Sequence, residues 1–127
     1  MELSDETFIA RDPASVAAVV GDPDRWAEWW PDLDLAVLRD RGDKGRQWVL
    51  TGRVAGTVEI YLEPWHDGTI VHLFLRLKPV SETETAADRA EALRRRTLSW
   101  KQTIHQLKDE LEGGRAPGTE AQVGGRI

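Results

Sequence analysis

Residues 12–31 read DPASVAAVVGDPDRWAEWWP, from Asp12 to Pro31. Twice in this stretch an Asp-Pro pair opens a helical pattern. Asp can accept a hydrogen bond from an unpaired amide of the first turn, and Pro fits the first helical position, where its missing N–H costs nothing. The first opening leads into Val16, Ala17, Val19 and Val20. The second leads into Trp26, Trp29 and Trp30 and stops at Pro31. The spacing predicts two short helices, over 13–20 and 23–30, set back to back. A strand over 5–12, around Phe8 and Ile9, precedes them, and a strand-rich middle follows. That order suggests the wall and lid of a cavity.

Downstream, strands are predicted over 33–39, 46–54, 57–65 and 69–78, with a polar turn at 40–45 and a stop at Lys78-Pro79. Asp67-Gly68 reads as a two-residue hairpin turn. It sets Leu62 opposite Leu73, Ile60 opposite Leu75 and Val58 opposite Leu77. On the other face Glu59 meets Arg76, Tyr61 meets Phe74 and Glu63 meets His72. A three-residue loop near Ala55-Gly56 then adds Trp48, Leu50 and Val54 to the aliphatic face and Arg53 to the charged one. Farther on, Ala86, Ala90, Leu93, Thr97, Trp100, Ile104, Leu107 and Leu111 form one stripe of a long helix over 85–112. Ser81-x-x-Glu84 and Thr85-x-x-Asp88 are candidate caps, and Gly113-Gly114 is the stop. Residues 113–127, rich in Gly and poor in apolar side chains, read as a disordered tail to a domain over 1–112.

The chain has 127 residues, six of them Trp and none Cys. One domain with one core fits that length, and disulfides and thiolate metal sites are excluded. The net charge of -5 argues against a general nucleic-acid binder, which needs a basic footprint. No apolar run is long enough for stable membrane insertion. The acidic start (Glu2, Asp5, Glu6) is unlike a signal peptide, so the expected location is the cytoplasm. Arg outnumbers Lys, and Ala and Gly are frequent, a bias found in GC-rich bacterial genomes.

This order of elements resembles the START-like superfamily, the polyketide cyclase/dehydrase and lipid-transport group also called SRPBCC. The resemblance covers residues 4–112 and rests on the Asp-Pro helix, Trp29-Trp30-Pro31, the strand Thr69-Ile70-Val71-His72-Leu73-Phe74 and the long last helix. It implies an α+β helix-grip fold, a curved antiparallel sheet wrapped around the C-terminal helix, with two short helices after the first strand. It also implies an apolar cavity between sheet and helix. Five strands are counted here where the family has six or seven.

The aliphatic face and the helix stripe make either a solid core or the lining of a pocket. The expected ligand-binding residues are Trp26, Trp29, Trp30, Trp48, Leu50, Ile60, Leu73, Leu75, Leu93, Thr97, Trp100 and Ile104. The ligand would be a small apolar or amphipathic molecule, with indole N–H groups as its polar handles. No catalytic residue is assigned. His66 falls at a turn, His72 on the far sheet face beside Glu63, and His105 off the stripe. No residue spacing suggests a metal, and no glycine motif suggests a phosphate cofactor. Arg94-Arg95-Arg96 reads as a solvated face balanced by Asp88, Glu91 and other acids, or else as an electrostatic contact to an anionic partner, lipid headgroup or ligand carboxylate. A non-catalytic binding protein is favoured over two alternatives, a cyclase or aromatase and an interaction module using Tyr61 and Phe74.

Overall fold

Both Asp-Pro pairs act as helix starts. In a computed structural model, which describes residues 1–52, 54–78 and 83–113, Asp12 accepts from the Ser15 amide at 3.2 Å and Asp22 from the Asp24 amide at 2.9 Å. Helices α1 (Pro13–Val20) and α2 (Pro23–Trp29) follow them. Strand β1 (Glu2–Ile9) precedes these helices. After them come β2 (Asp34–Asp40), a 3-10 turn at Gly42–Lys44, β3 (Gly45–Thr51), β4 (Gly56–Trp65), β5 (Gly68–Leu77) and α3 (Ala86–Glu112). The five strands form one antiparallel sheet in the order β1-β5-β4-β3-β2. This is the α+β architecture expected from the sequence.

The first strand begins earlier than expected, at Glu2, and ends at Ile9. Its inward positions are Leu3, Asp5, Thr7 and Ile9, which meet Leu75, Leu73, Val71 and Thr69. Two of the four are polar, so the alternation that marks an amphipathic strand is broken there.

The β4–β5 hairpin turns at His66-Asp67, one residue before the expected place. Trp65 pairs with Gly68, so Ile60 faces Leu73, Val58 faces Leu75, Glu59 faces Phe74 and Tyr61 faces His72. The register is displaced by two residues, which preserves the faces. His66 takes the left-handed backbone at φ 50. Gly68 is needed for another reason: a Cβ there would run into the Ile9 carbonyl oxygen of β1. The β3–β4 link is also longer than expected, since Leu50 already pairs with Gly56.

Rows of inward side chains cross the sheet. One runs Leu35, Leu50, Gly56, Leu77; the next Val37, Trp48, Val58, Leu75, Leu3; a third Arg46, Ile60, Leu73, Asp5. The expected aliphatic face is therefore the core face, with Val54 half-buried at its margin.

Helix α3 starts on the second of the two expected caps. The Asp88 amide donates to the Thr85 hydroxyl at 3.0 Å, and the Thr85 amide donates to Asp88 at 3.1 Å. Gly113 closes it in the left-handed region. Ser81, Arg53, Pro79, Gly114 and the tail from 114 onward lie outside the described residues.

Candidate functional site

Five indoles converge where α2 and α3 meet the sheet. Trp26 on α2 packs against Trp29 and Trp48 at 5.1 Å between ring centroids, Trp30 at 5.7 Å, and Trp100 of α3 at 6.1 Å. Its planes lie within 12° of those of Trp100. Positions 26 and 30 are one helical turn apart, so both point inward, while Trp29 sits at the margin. Trp26, Trp30, Trp48 and Trp100 are buried, and Trp29 is half-buried. Trp26 of α2 and Trp30 just after it, both expected to bind ligand, are thus part of the core. Of the three, only Trp29 keeps a marginal place.

Three of the indole N–H groups are already engaged. Trp26 donates to the Val20 carbonyl at 2.7 Å, Trp30 to the Ser99 hydroxyl at 3.3 Å, and Trp100 to the Asp5 carboxylate at 3.0 Å. This departs from the expectation of free indole handles. Burying an indole leaves a donor that needs an acceptor, and each of these finds one inside the protein.

Helix α3 is fastened to the sheet by its second half. Lys101 pairs with Asp5. Lys108 donates to the Phe8 carbonyl at 2.7 Å, Glu112 accepts from the Ala10 amide at 2.9 Å, and Arg11 donates to the Leu111 carbonyl at 2.9 Å. Trp100, Ile104, Leu107 and Leu111 are buried along that half. Before Trp100 no residue of α3 is buried. Leu93 and Thr97 lie half-covered on the same stripe. Toward α2, this half is held by Arg96, whose guanidinium grips Asp32 at 2.6 and 3.0 Å and lies 5.1 Å above the Trp30 ring.

Leu50, Ile60, Leu73 and Leu75, all expected to line the pocket, are buried on the inner sheet face, and Ile104 is buried on α3. The structure brings the twelve expected residues to one layer between sheet and helix. It separates a packed base, around Trp26, Trp48, Trp100 and Ile104, from a looser end at Trp29, Leu93 and Thr97.

Asp5 is the residue the sequence reading passed over. Its carboxylate enters the core face of β1, takes up the Trp100 indole and the Thr7 hydroxyl at 3.0 Å each, and pairs with Lys101. The only hint was a lone acid at an inward position of a strand.

The histidines fall where expected. His66 is at the turn, His105 is exposed, and His72 is on the outer face. There His72 lies 3.0 Å from Glu63 and 3.4 Å from Glu6, with Tyr61 at 5.4 Å. Glu59 does not meet Arg76. It accepts from Gln47 at 2.9 Å and lies 3.7 Å from Arg41, while Arg76 pairs with Glu2 at 3.4 Å. Of the Arg run, Arg94 pairs with Glu91 as expected, but Asp88 is spent on the helix cap and Arg96 on Asp32.

Comparison with protein-family models finds no match, and neither does comparison with curated proteins. Solved structures do match. DR_A0006 from Deinococcus radiodurans superposes with a TM-score of 0.67 at 14% identity, over 91% of this chain and 99% of that one. The Aha1 dimer from Colwellia psychrerythraea gives 0.64 at 16%, over 91% and 99%. CalU16 from Micromonospora echinospora gives 0.64 at 18%, over 91% and 77%. The chain has a helix-grip fold. At these identities the likeness is one of fold, and it bears out the architecture that the START-like resemblance implies. No helix among the described residues is long and apolar enough to cross a membrane.

Proposed function

We propose that this chain is a cytoplasmic, non-catalytic protein that binds a small hydrophobic or amphipathic molecule, lipid-like or polyketide-like, between the inner sheet face and the first half of α3. One observation carries the reading. The helix is bolted to the sheet from Trp100 onward, while its first half presents Leu93 and Thr97 half-covered, Leu93 against the edge of the core. A ligand entering there would exchange its own apolar surface for that of the half-covered stripe, at about 25 cal/mol per Å² removed from water. The indole cluster forms the floor. Polar contacts to the ligand then fall to Thr97 and to the margin near Trp29.

The cyclase reading asks for an acid or base free to act in the cavity. Asp5 is an inward carboxylate, but three donors already occupy it. That favours binding over catalysis.

The test is mass spectrometry of small molecules that co-purify with the native protein, together with titration of an apolar fluorescent probe into wild type, Leu93→Ala, Trp100→Leu and His72→Ala. Weaker probe binding in the first two variants and unchanged binding in the third is expected. A probe that binds all four alike, with nothing co-purifying, would remove the proposal. Loss of binding in His72→Ala alone would move the site to the outer sheet face.

A further inference from the structure

The two edges of the sheet are treated differently. Strand β1 is capped by α3 at its C-terminal end, through Lys108 on the Phe8 carbonyl and Glu112 on the Ala10 amide just beyond it. Strand β2 is bare: every residue from Ala36 to Asp40 is exposed, Val37 at 56% and Leu38 at 63%. An apolar edge strand with unpaired backbone groups is a template for another strand, and monomeric proteins usually blunt it.

The side chains of β2 read the same in both directions. Val37 pairs with Trp48 and Arg39 with Gln47, so Leu38 is the extra residue of a bulge. The bulge returns Arg39 to the outward face, which it shares with Asp34 and Ala36. Leu35 and Val37 face inward. From the centre at Ala36, each direction meets an inward aliphatic and then an outward charge, acidic on one side and basic on the other. Neither Asp34 nor Arg39 has a charged partner among the described residues.

Beneath this edge, between α2 and β2, lies a groove of about 280 Å³ whose wall includes Pro23, Ala27, Leu33, Leu35 and Val37. A strand added to β2 would carry its own inward side chains over that groove.

We propose that β2 pairs antiparallel with β2 of a second copy, about a two-fold axis at Ala36, joining two five-stranded sheets into one. Asp34 of each copy faces Arg39 of the other on the outer side. Leu35 faces Val37 on the inner side, over the groove. Self-complementarity of this kind is what a two-fold interface requires. Strand addition supplies main-chain hydrogen bonds, and the flanking charges fix the register.

Sedimentation velocity on the full chain tests the pairing with Asp34→Arg, Arg39→Asp and the double variant. Wild type should dimerise. Each single change sets like charges face to face and should raise the dimer dissociation constant by about tenfold or more. An equimolar mixture of the two single variants restores opposite charges at both contacts, as does the double variant alone, and both should dimerise like wild type. Circular dichroism on the same samples establishes that each variant is folded. A monomeric wild type would overturn the proposal. So would a dimer indifferent to the single changes, or single variants that are weakened but not rescued by mixing.

Discussion

The Trp100 indole N–H donates to the Asp5 carboxylate at 3.0 Å, tying the middle of α3 to the first strand inside the core. The Thr7 hydroxyl and Lys101 complete the shell of donors around that carboxylate. Replacing Asp5 with Ala would leave the indole donor buried without its acceptor, at a cost of about 1–3 kcal/mol. Asp5→Asn keeps an acceptor for the indole and should cost less. Urea denaturation of the three proteins gives the ranking, and equal midpoints for Asp5→Ala and wild type would show that the bond contributes nothing.

Within the indole cluster, burial predicts an order. Trp26 is buried against four other indoles and donates to the Val20 carbonyl. Trp26→Ala should cost about 3–5 kcal/mol. Trp29, at the margin, should cost about 1–2 kcal/mol for the part of its surface that is covered. Chemical denaturation followed by far-UV circular dichroism decides the order.

Two glycines should respond in opposite ways to a methyl group. Gly56 has φ 148, and its Cβ would run into the Arg76 carbonyl oxygen across the β4–β5 ladder. Gly42 has φ 62 with open space around it. Gly42→Ala should cost about 1–2 kcal/mol, the strain of a left-handed L-residue. Gly56→Ala requires backbone movement in addition and should cost clearly more. Thermal melts of the pair test this, and equal melting temperatures would contradict the close approach.

Acid should selectively remove the contact between α3 and the end of α2. The Arg96 hydrogen bonds hold the Asp32 carboxyl below its usual range, and Arg25 does the same for Glu110. A carboxyl whose pKa is lower in the folded state contributes stability above its unfolded pKa, near about 4, and loses it as pH falls through the folded value. Both pairs are substantially exposed, so each contribution is at most about 1 kcal/mol. The stability gap between wild type and Asp32→Asn should be constant from neutral pH downward and close below about pH 4. A gap that widens in acid would reverse the sign of the argument.

The sheet faces were legible because β4 and β5 alternate cleanly: Val58, Ile60 and Leu62 point in, and Glu59, Tyr61 and Glu63 point out. Register was not legible to the same degree. A displacement by two residues keeps every side chain on its face, so alternation cannot tell one pairing from the next. The deciding features were His66 adopting a left-handed turn and Gly68 making room for β1, and the second depends on a strand distant in sequence. The α3 stripe was legible from its spacing, and the site layer followed from stripe plus sheet. What spacing does not carry is which indole meets which. Trp26, Trp48 and Trp100 come from three elements, and their contact depends on how α2 lies over the sheet. Asp5 was missed for the same reason, since its partners Trp100 and Lys101 are far along the chain.

The near-parallel rings of Trp26 and Trp100, 6.1 Å apart, also give the molecule an optical signature. Two indoles at that separation share their electronic transitions, and the resulting circular dichroism changes with the distance and angle between them. One ring belongs to α2 and the other to α3. Any event that shifts the long helix against the short one, whether ligand entry, acidification or heating, is thereby written into the near-ultraviolet spectrum of the unlabelled protein.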